Sequence, residues 1–121
     1  MKLYADSAAV DAVVPLLRDG LVRGVTTNPS ILARDGLGAA DLPRLYDEFS
    51  AAGADEIFLQ ATGGTRAALL ADAQRIAAFG HRIVVKVPAT QDGFRVAHEL
   101  LQQDVRVLLT AVYSLAQATF A

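Results

Sequence analysis

The chain has 121 residues, enough for one domain with its own hydrophobic core, and 53% of them are hydrophobic. This composition argues against intrinsic disorder, and the eleven Lys and Arg residues, scattered over a chain of net charge −2, predict no nucleic-acid surface. The absence of cysteine excludes disulfides, thiolate metal sites and a cysteine nucleophile.

Short apolar runs alternate with helical patterns from the start of the chain. Residues 2–5 and 24–26 predict strands, and the apolar spacing from Val10 to Leu17 predicts a helix between them. Pro15 lacks a backbone N–H, so we expect that helix to be short or kinked there.

The second strand ends in a polar turn at Thr27-Asn28-Pro29-Ser30, because Asn before Pro favours extended or turn geometry. A short helix near Ile31 and a longer one over residues 42–52 follow. Three more strands are predicted, over residues 56–61, 82–87 and 105–109, and a helical segment is predicted over 113–121. The helix after the first of these strands has an apolar side that holds Leu69, Ala73, Ile76 and Ala77. The helix after the second is capped by Thr90, and its Phe94, Ala97 and Leu101 share a face.

These elements make five β–α units in succession, with no Pro- or Ser-rich linker. Such alternation predicts a parallel sheet covered by helices. A closed (β/α)8 barrel and an open doubly wound sheet both fit the pattern. No Gly-x-Gly-x-x-Gly motif follows a strand and no Walker motif is present, so the sequence gives nucleotide binding no support.

Lys86 lies inside the apolar strand Ile83-Val84-Val85-Lys86-Val87-Pro88. Lysine is rarely buried, and burial lowers its pKa because the charged form loses its hydration. The neutral amine that results can attack a carbonyl carbon and form a Schiff base. Two simpler interpretations stay open: the side chain can extend to solvent, or it can protect an exposed sheet edge.

A polar residue ends each predicted strand, and strand alternation places this set on one face of the sheet. In α/β barrels the active site lies at this end of the strands. Simpler interpretations exist here too, since Asp6, Asn28 and Thr110 could cap helices and Gln60 could satisfy loop backbone. The set consists of Asp6, Thr26, Gln60, Lys86 and Thr110, with Asn28 just beyond the second strand.

Histidines and carboxylates do not cluster in the sequence. His81 falls in a loop and His98 on a helix, and we expect both to be exposed. We therefore expect no metal site.

Four segments resemble the transaldolase family, and they are most similar to the small-subunit branch that contains fructose-6-phosphate aldolase. They are Lys2-Leu3-Tyr4-Ala5-Asp6, Gly24-Val25-Thr26-Thr27-Asn28-Pro29-Ser30, Ile83-Val84-Val85-Lys86-Val87-Pro88, and Thr110-Ala111-Val112-Tyr113 through Ala116-Gln117. The resemblance implies a (β/α)8 TIM barrel and class I aldol chemistry, which uses a lysine Schiff base and neither a metal nor a cofactor.

The resemblance also implies roles for the polar set. Lys86 matches the Schiff-base lysine, Asp6 an active-site carboxylate, and Gln60 and Thr110 the residues that hold a catalytic water. For substrate binding, Asn28 matches a ligand of a donor hydroxyl and Thr26 lines the same pocket. The Gln60 position is usually glutamate in transaldolases and glutamine in the aldolase branch, which favours an aldolase.

We therefore expect a class I aldolase that joins or cleaves a dihydroxyacetone-type ketone and an aldehyde or sugar phosphate. The alternatives are a transaldolase that moves a dihydroxyacetone unit between sugar phosphates, and a non-catalytic fragment that only assembles with other chains. No apolar stretch approaches the roughly 20 residues of a membrane span, and no signal peptide is visible. The expected setting is cytoplasmic, with a small sugar or sugar phosphate as partner, a homo-oligomeric state, and neither nucleic acid nor membrane bound.

Length is the serious departure from the family pattern. A complete barrel has about 250 residues and rarely fewer than about 200, so the resemblance covers about the first five β/α units. The family's later tyrosine, phosphate-binding arginine and serine have no counterparts here. The chain could be a piece of a longer protein, a truncated gene product, or one of several chains that close a sheet together. We expect the first, with residues 1–121 as the N-terminal part of a single TIM-barrel domain.

Overall fold

A computed structural model describes residues 2–110, in which five strands alternate with helices. None of the helices in this range is long and apolar enough to cross a membrane. The strands are β1 (Tyr4–Asp6), β2 (Gly24–Thr26), β3 (Glu56–Gln60), β4 (Ile83–Pro88) and β5 (Val107–Thr110). The helices are α1 (Val10–Arg18), α2 (Pro29–Arg34), α3 (Leu42–Ala51), preceded by a 3₁₀ turn at Ala39–Asp41, α4 (Arg66–Ala77) and α5 (Gln91–Gln102).

The described strands form one parallel sheet in the order β1-β2-β3-β4-β5. An open doubly wound sheet reverses its strand order at a switch point, whereas a barrel adds each new strand beside the previous one. The consecutive order therefore decides between the two predicted architectures. The described residues form part of a β/α barrel, and the predicted barrel class is confirmed.

The two faces of the sheet differ in what they contact. One face packs against the helices, and five of its side chains are fully buried: Val25, Ile57, Leu59, Val85 and Val87. Successive side chains along each strand point alternately to this face and to the opposite one, which is called the inner face below. The inner face carries Tyr4, Asp6, Thr26, Phe58, Gln60, Val84, Lys86, Leu108 and Thr110.

Two leucines that strand alternation places on the helix-packed face are exposed. Leu3 is 54% exposed and Leu109 is 36% exposed. Leu3 precedes β1, and Leu109 lies on β5, which is an edge strand in the described residues. Each side chain therefore has fewer neighbours than the valines of the central strands.

Helix α1 continues through Pro15 and ends at Arg18, so it is short but is not interrupted at the proline. Its buried residues are Val13 and Leu17, as the apolar spacing predicts. The predicted cap of α5 is confirmed, because the Thr90 hydroxyl accepts a hydrogen bond from the Gly93 N–H at 3.1 Å.

The apolar face predicted for α5 is wrong. Phe94 and Leu101 are 50% and 59% exposed, while Val96 and Leu100 are buried. Two apolar stripes compete on this helix, and the one with Val96 and Leu100 packs against the sheet. Ala97 is buried in either case.

The two edge strands of the described sheet are shifted from their predicted bounds toward the carboxyl end. The strand predicted over residues 2–5 starts at Tyr4 and ends at Asp6, because Asp6 pairs with Thr26. The strand predicted over 105–109 runs from Val107 to Thr110, because Thr110 pairs with Pro88. The predicted helix over 113–121 lies outside the described residues.

A charged cluster occupies the amino end of the inner face. The Tyr4 hydroxyl donates to Glu56 at 2.6 Å, and the Arg106 and Arg23 side chains lie 3.1 and 3.5 Å from the same carboxylate. The hydrogen bond from Tyr4, with help from the arginines, lowers the pKa of Glu56 below its usual value. In α/β barrels this end of the strands contributes to stability rather than to chemistry.

Gly24 gives a test of the close approach between β2 and β3. A Cβ at this position would meet the main-chain oxygen of Glu56, so we expect Gly24→Ala to reduce the free energy of unfolding by about 1–3 kcal/mol. Gly38 has open space around its Cα, and Gly38→Ala should change stability by less than about 0.5 kcal/mol. Urea denaturation of both variants measures this difference, and equal losses would contradict the packing described.

Candidate active site

The amine of Lys86 is buried on the inner face, although the strand is apolar on both sides. The residue is 7% exposed, and its Nζ atom donates a hydrogen bond of 2.8 Å to the main-chain carbonyl of Thr27. Because β4 is paired with both β3 and β5, Lys86 does not protect a sheet edge. The side chain does not extend to solvent either, so both simpler interpretations of this lysine are wrong.

Two environmental effects oppose each other at this amine. Burial lowers the pKa of Lys86 from its usual range, and the negative charge of Asp6 raises it by a smaller amount. The hydrogen-bond acceptor is an uncharged carbonyl rather than a carboxylate. The amine therefore loses its proton more readily than an exposed lysine, which makes it a better nucleophile.

Thr27 fixes the carbonyl that receives this hydrogen bond. The residue is fully buried, and both its N–H and its hydroxyl donate to the Phe58 carbonyl in β3, at 3.2 and 3.3 Å. Thr27 is not among the residues that the sequence pattern predicts for the site. Its contact with Lys86 uses the main chain, which every residue has, so no residue type marks it.

Asp6 and Thr26 are neighbours across β1 and β2. They are partners in the register, and the Thr26 hydroxyl donates to the Asp6 carboxylate at 2.6 Å. The simpler interpretation of Asp6 as a helix cap is wrong, because Ala9 is the N-cap residue of α1. The carboxylate thus stands on the inner face, where its charge acts on Lys86.

Gln60 and Thr110 flank Lys86 on the adjacent strands. Gln60 is the register partner of Lys86 in β3, and Thr110 pairs with Pro88, two residues closer to the carboxyl end of the sheet. Both residues are half-buried. Within residues 2–110 their side chains form no hydrogen bond with the Lys86 amine, whose partner is Thr27.

Asn28 lies just after β2 and caps α2. Its Oδ1 atom accepts a hydrogen bond of 2.9 Å from the Ile31 N–H, so the capping interpretation is confirmed for this residue. The cap uses the carbonyl oxygen of the side chain and does not involve its NH2 group. Capping is therefore compatible with a second role as a hydrogen-bond donor to a ligand.

The chemistry available here is that of an amine and a carboxylate. In residues 2–110 no group of three or more His, Cys, Asp or Glu side chains is placed to hold a metal ion. His81 and His98 are exposed, and His98 pairs with Gln102 on the surface of α5. A buried amine on the same face of the sheet as a carboxylate is suited to adding to a ketone or aldehyde.

The opposing effects on Lys86 predict a pH shift in an Asp6 variant. Because the Asp6 charge raises the pKa of Lys86, we expect Asp6→Asn to lower that pKa further and to move the half-maximum of Lys86 reactivity to lower pH. Asp55→Asn is the matched control, since the Asp55 side chain is 65% exposed and pairs with Arg23. The measurement is the rate of Lys86 modification by an amine-selective reagent against pH, resolved by peptide mass spectrometry. A shift to higher pH, or equal shifts in both variants, would contradict the assignment.

Comparison with known proteins places the chain in a family. A family model described as Transaldolase/Fructose-6-phosphate aldolase matches residues 3–121. Probable transaldolases from Streptococcus equi subsp. equi and Pelotomaculum thermopropionicum are 32% and 33% identical over 121 residues. A probable transaldolase from Desulfotalea psychrophila is 32% identical over an alignment of 125 residues.

Each of these alignments covers 100% of this chain and 55% of the relative, so the chain spans about half the length of the curated relatives that it matches. The family match agrees with the resemblance carried by the Thr-Thr-Asn-Pro-Ser and Val-Lys-Val-Pro segments, and it agrees with the barrel topology. The chain belongs to the transaldolase/fructose-6-phosphate aldolase family.

Proposed function

We propose that this chain carries the Schiff-base lysine of a class I aldolase that joins or cleaves a dihydroxyacetone-type ketone and an aldehyde or sugar phosphate. The observation that supports the proposal most is the environment of Lys86, a buried amine held by an uncharged carbonyl. The lowered pKa makes the neutral form of this amine more accessible than that of an exposed lysine, and the neutral form is the nucleophile. Membership of the family supports the same reaction class.

In the proposed reaction, the Lys86 amine adds to the carbonyl carbon of the ketone donor. The ketone oxygen takes one proton from the amine and a second proton from an acid and leaves as water, and a protonated Schiff base remains. This cation accepts the electron pair released when the adjacent carbon–carbon bond breaks, and the aldehyde product departs. The resulting enamine attacks an acceptor aldehyde, or it is protonated and hydrolysed, which restores Lys86.

Each of these proton transfers needs an acid or a base, typically worth about 10²–10⁴-fold in rate. We propose that Asp6 supplies part of this function, since it is the carboxylate whose charge acts on Lys86. A water held between Gln60 and Thr110, on the strands either side of Lys86, would supply another part. Thr26 would line the donor pocket while its hydroxyl orients Asp6.

Asn28 is proposed as a ligand of the donor. Its NH2 group is not used by the helix cap, so it can donate to a hydroxyl of the ketone substrate. Residues 1–121 are proposed as the N-terminal part of a single TIM-barrel domain, because the matched relatives are nearly twice as long. The homo-oligomeric state and the cytoplasmic location stay predictions.

A transaldolase is the second candidate, because the matched relatives are named probable transaldolases. Gln60 favours the aldolase, since the resemblance associates glutamine with the aldolase branch. A steady-state assay separates the two candidates: an aldolase cleaves fructose 6-phosphate alone, whereas a transaldolase needs erythrose 4-phosphate as acceptor. We expect cleavage of fructose 6-phosphate alone, and strict dependence on the acceptor would overturn the aldolase assignment.

The chain offers a sharp test of the Schiff base because it contains two lysines, Lys2 and Lys86. Borohydride reduction in the presence of dihydroxyacetone should add one donor unit at Lys86 and none at Lys2, which is exposed. Lys86→Met should abolish the adduct, and Lys2→Met should form it at the parent rate. Intact-mass and peptide mass spectrometry give the readout.

Modification of both lysines to the same extent would show an ordinary amine reaction and would contradict the proposal. Absence of an adduct in the parent chain would favour the third interpretation, a non-catalytic fragment that only assembles with other chains. Full turnover by Lys86→Met would exclude Lys86 as the nucleophile.

A further inference from the structure

Two loops that follow site residues are anchored in the same way. After β1, the Ala8 N–H donates to the Asp35 carboxylate at 3.2 Å, and after β3 the Thr62 N–H donates to the Asp72 carboxylate at 2.9 Å. Ala8 lies two residues beyond Asp6, and Thr62 lies two residues beyond Gln60. In each case one helix-associated aspartate holds the main chain just past a proposed site residue.

In both aspartates, the second carboxylate oxygen lies near the side chain of an arginine. The other carboxylate oxygen of Asp35 lies 4.0 Å from the Arg34 Nε atom, and that of Asp72 lies 3.0 Å from an Arg75 nitrogen. Both aspartate side chains are about one-fifth exposed. Two hydrogen bonds from Arg75 and one from the main-chain N–H fix the orientation of the Asp72 carboxylate, whereas the Arg34 contact is long and the Ala8 N–H is the main partner of Asp35.

The anchors differ in how strongly the loop depends on them. Ala8 is buried, so its N–H would lose its partner without Asp35, and an unpaired buried donor is costly. Thr62 is exposed, so water can replace Asp72. Asp35 also directly follows α2, the helix that Asn28 caps, so it connects the loop after Asp6 to the helix that starts beside Asn28.

We propose that Asp35 and Asp72 are positioning residues. Each anchors the loop that follows a site residue, and in this way Asp35 fixes the position of Asp6 and Asp72 fixes the position of Gln60. The inference rests on the proposed function for its catalytic consequence, while the anchoring itself is a separate observation. Neither aspartate lies in the segments that carry the family resemblance. Asp35 is the stronger anchor, because it satisfies a buried donor.

The test compares three alanine variants in the full chain: Asp35→Ala, Asp72→Ala and the matched control Asp55→Ala. The readout is the rate of adduct formation at Lys86 with saturating dihydroxyacetone and borohydride, measured well below the melting temperature of each variant. We expect about a tenfold loss for Asp35→Ala, a smaller loss for Asp72→Ala and no change for Asp55→Ala, because small displacements of a positioned group reduce rates steeply.

Asp35→Asn should restore most of the rate, since its side-chain oxygen can still accept from the Ala8 N–H. A role confined to stability would lower the melting temperature of Asp35→Ala and leave the rate unchanged, which would overturn the proposal. Amide hydrogen exchange gives an independent readout: Ala8 should lose protection in Asp35→Ala and keep it in Asp35→Asn.

The outcomes separate this inference from the proposed function. If the parent chain forms the adduct and Asp35→Ala matches Asp55→Ala, the positioning role is wrong and the aldolase proposal stands. If the parent forms no adduct, the aldolase proposal is wrong and the catalytic role of the anchors falls with it. Unchanged exchange at Ala8 in Asp35→Ala would show that Asp35 does not anchor the loop.

Discussion

The hydrogen bond from the Lys86 amine to the Thr27 carbonyl links β4 to the chain just after β2, across the intervening strand β3. Thr27 is in turn bonded to Phe58 in β3 through its N–H and its hydroxyl. The buried amine is therefore held by a main-chain group that the sheet itself fixes. The sheet therefore keeps the surroundings of the Lys86 amine constant, and these surroundings set its reactivity.

The same burial has a cost in stability. The folded-state pKa of Lys86 is below its unfolded value, so the unfolded chain binds this proton more tightly than the folded chain does. The penalty is fully present below the folded pKa, and it disappears as the pH rises toward about 10.4, the usual lysine value. At the opposite end of the inner face, Glu56 has a hydroxyl and two arginines as partners, and its lowered pKa shows a stabilised charge. At the amino end of the sheet the charges are therefore paired and stabilised. At the carboxyl end, burial destabilises the charged form of the Lys86 amine.

Much of this arrangement was predictable from the sequence, because it follows from strand alternation. The residues of β2 were predicted without error, and Asp6, Thr26, Gln60 and Lys86 lie on one face as the pattern indicates. Helix caps were predictable, whereas a contact between a side chain and a main-chain carbonyl far away in the sequence was not, and the contact of Lys86 with Thr27 is the main example. The rotation of α5 was also missed, because Phe94 and Leu101 form an apolar stripe that looks as suitable as the one that packs. The Glu56 cluster was not predicted, because Tyr4, Glu56 and Arg106 are far apart in the sequence and come into contact only when the strands pair.

The central claim is that Lys86 is a buried amine with a lowered pKa, and direct titration tests it without any substrate. Because Lys2 and Lys86 are the two lysines of the chain, isotope-labelled lysine gives two side-chain NMR signals, assigned with Lys2→Met. The account predicts that the Lys2 signal titrates near the usual value of about 10.4 and that the Lys86 signal titrates clearly below it. Two signals that titrate together at the usual value would contradict the account.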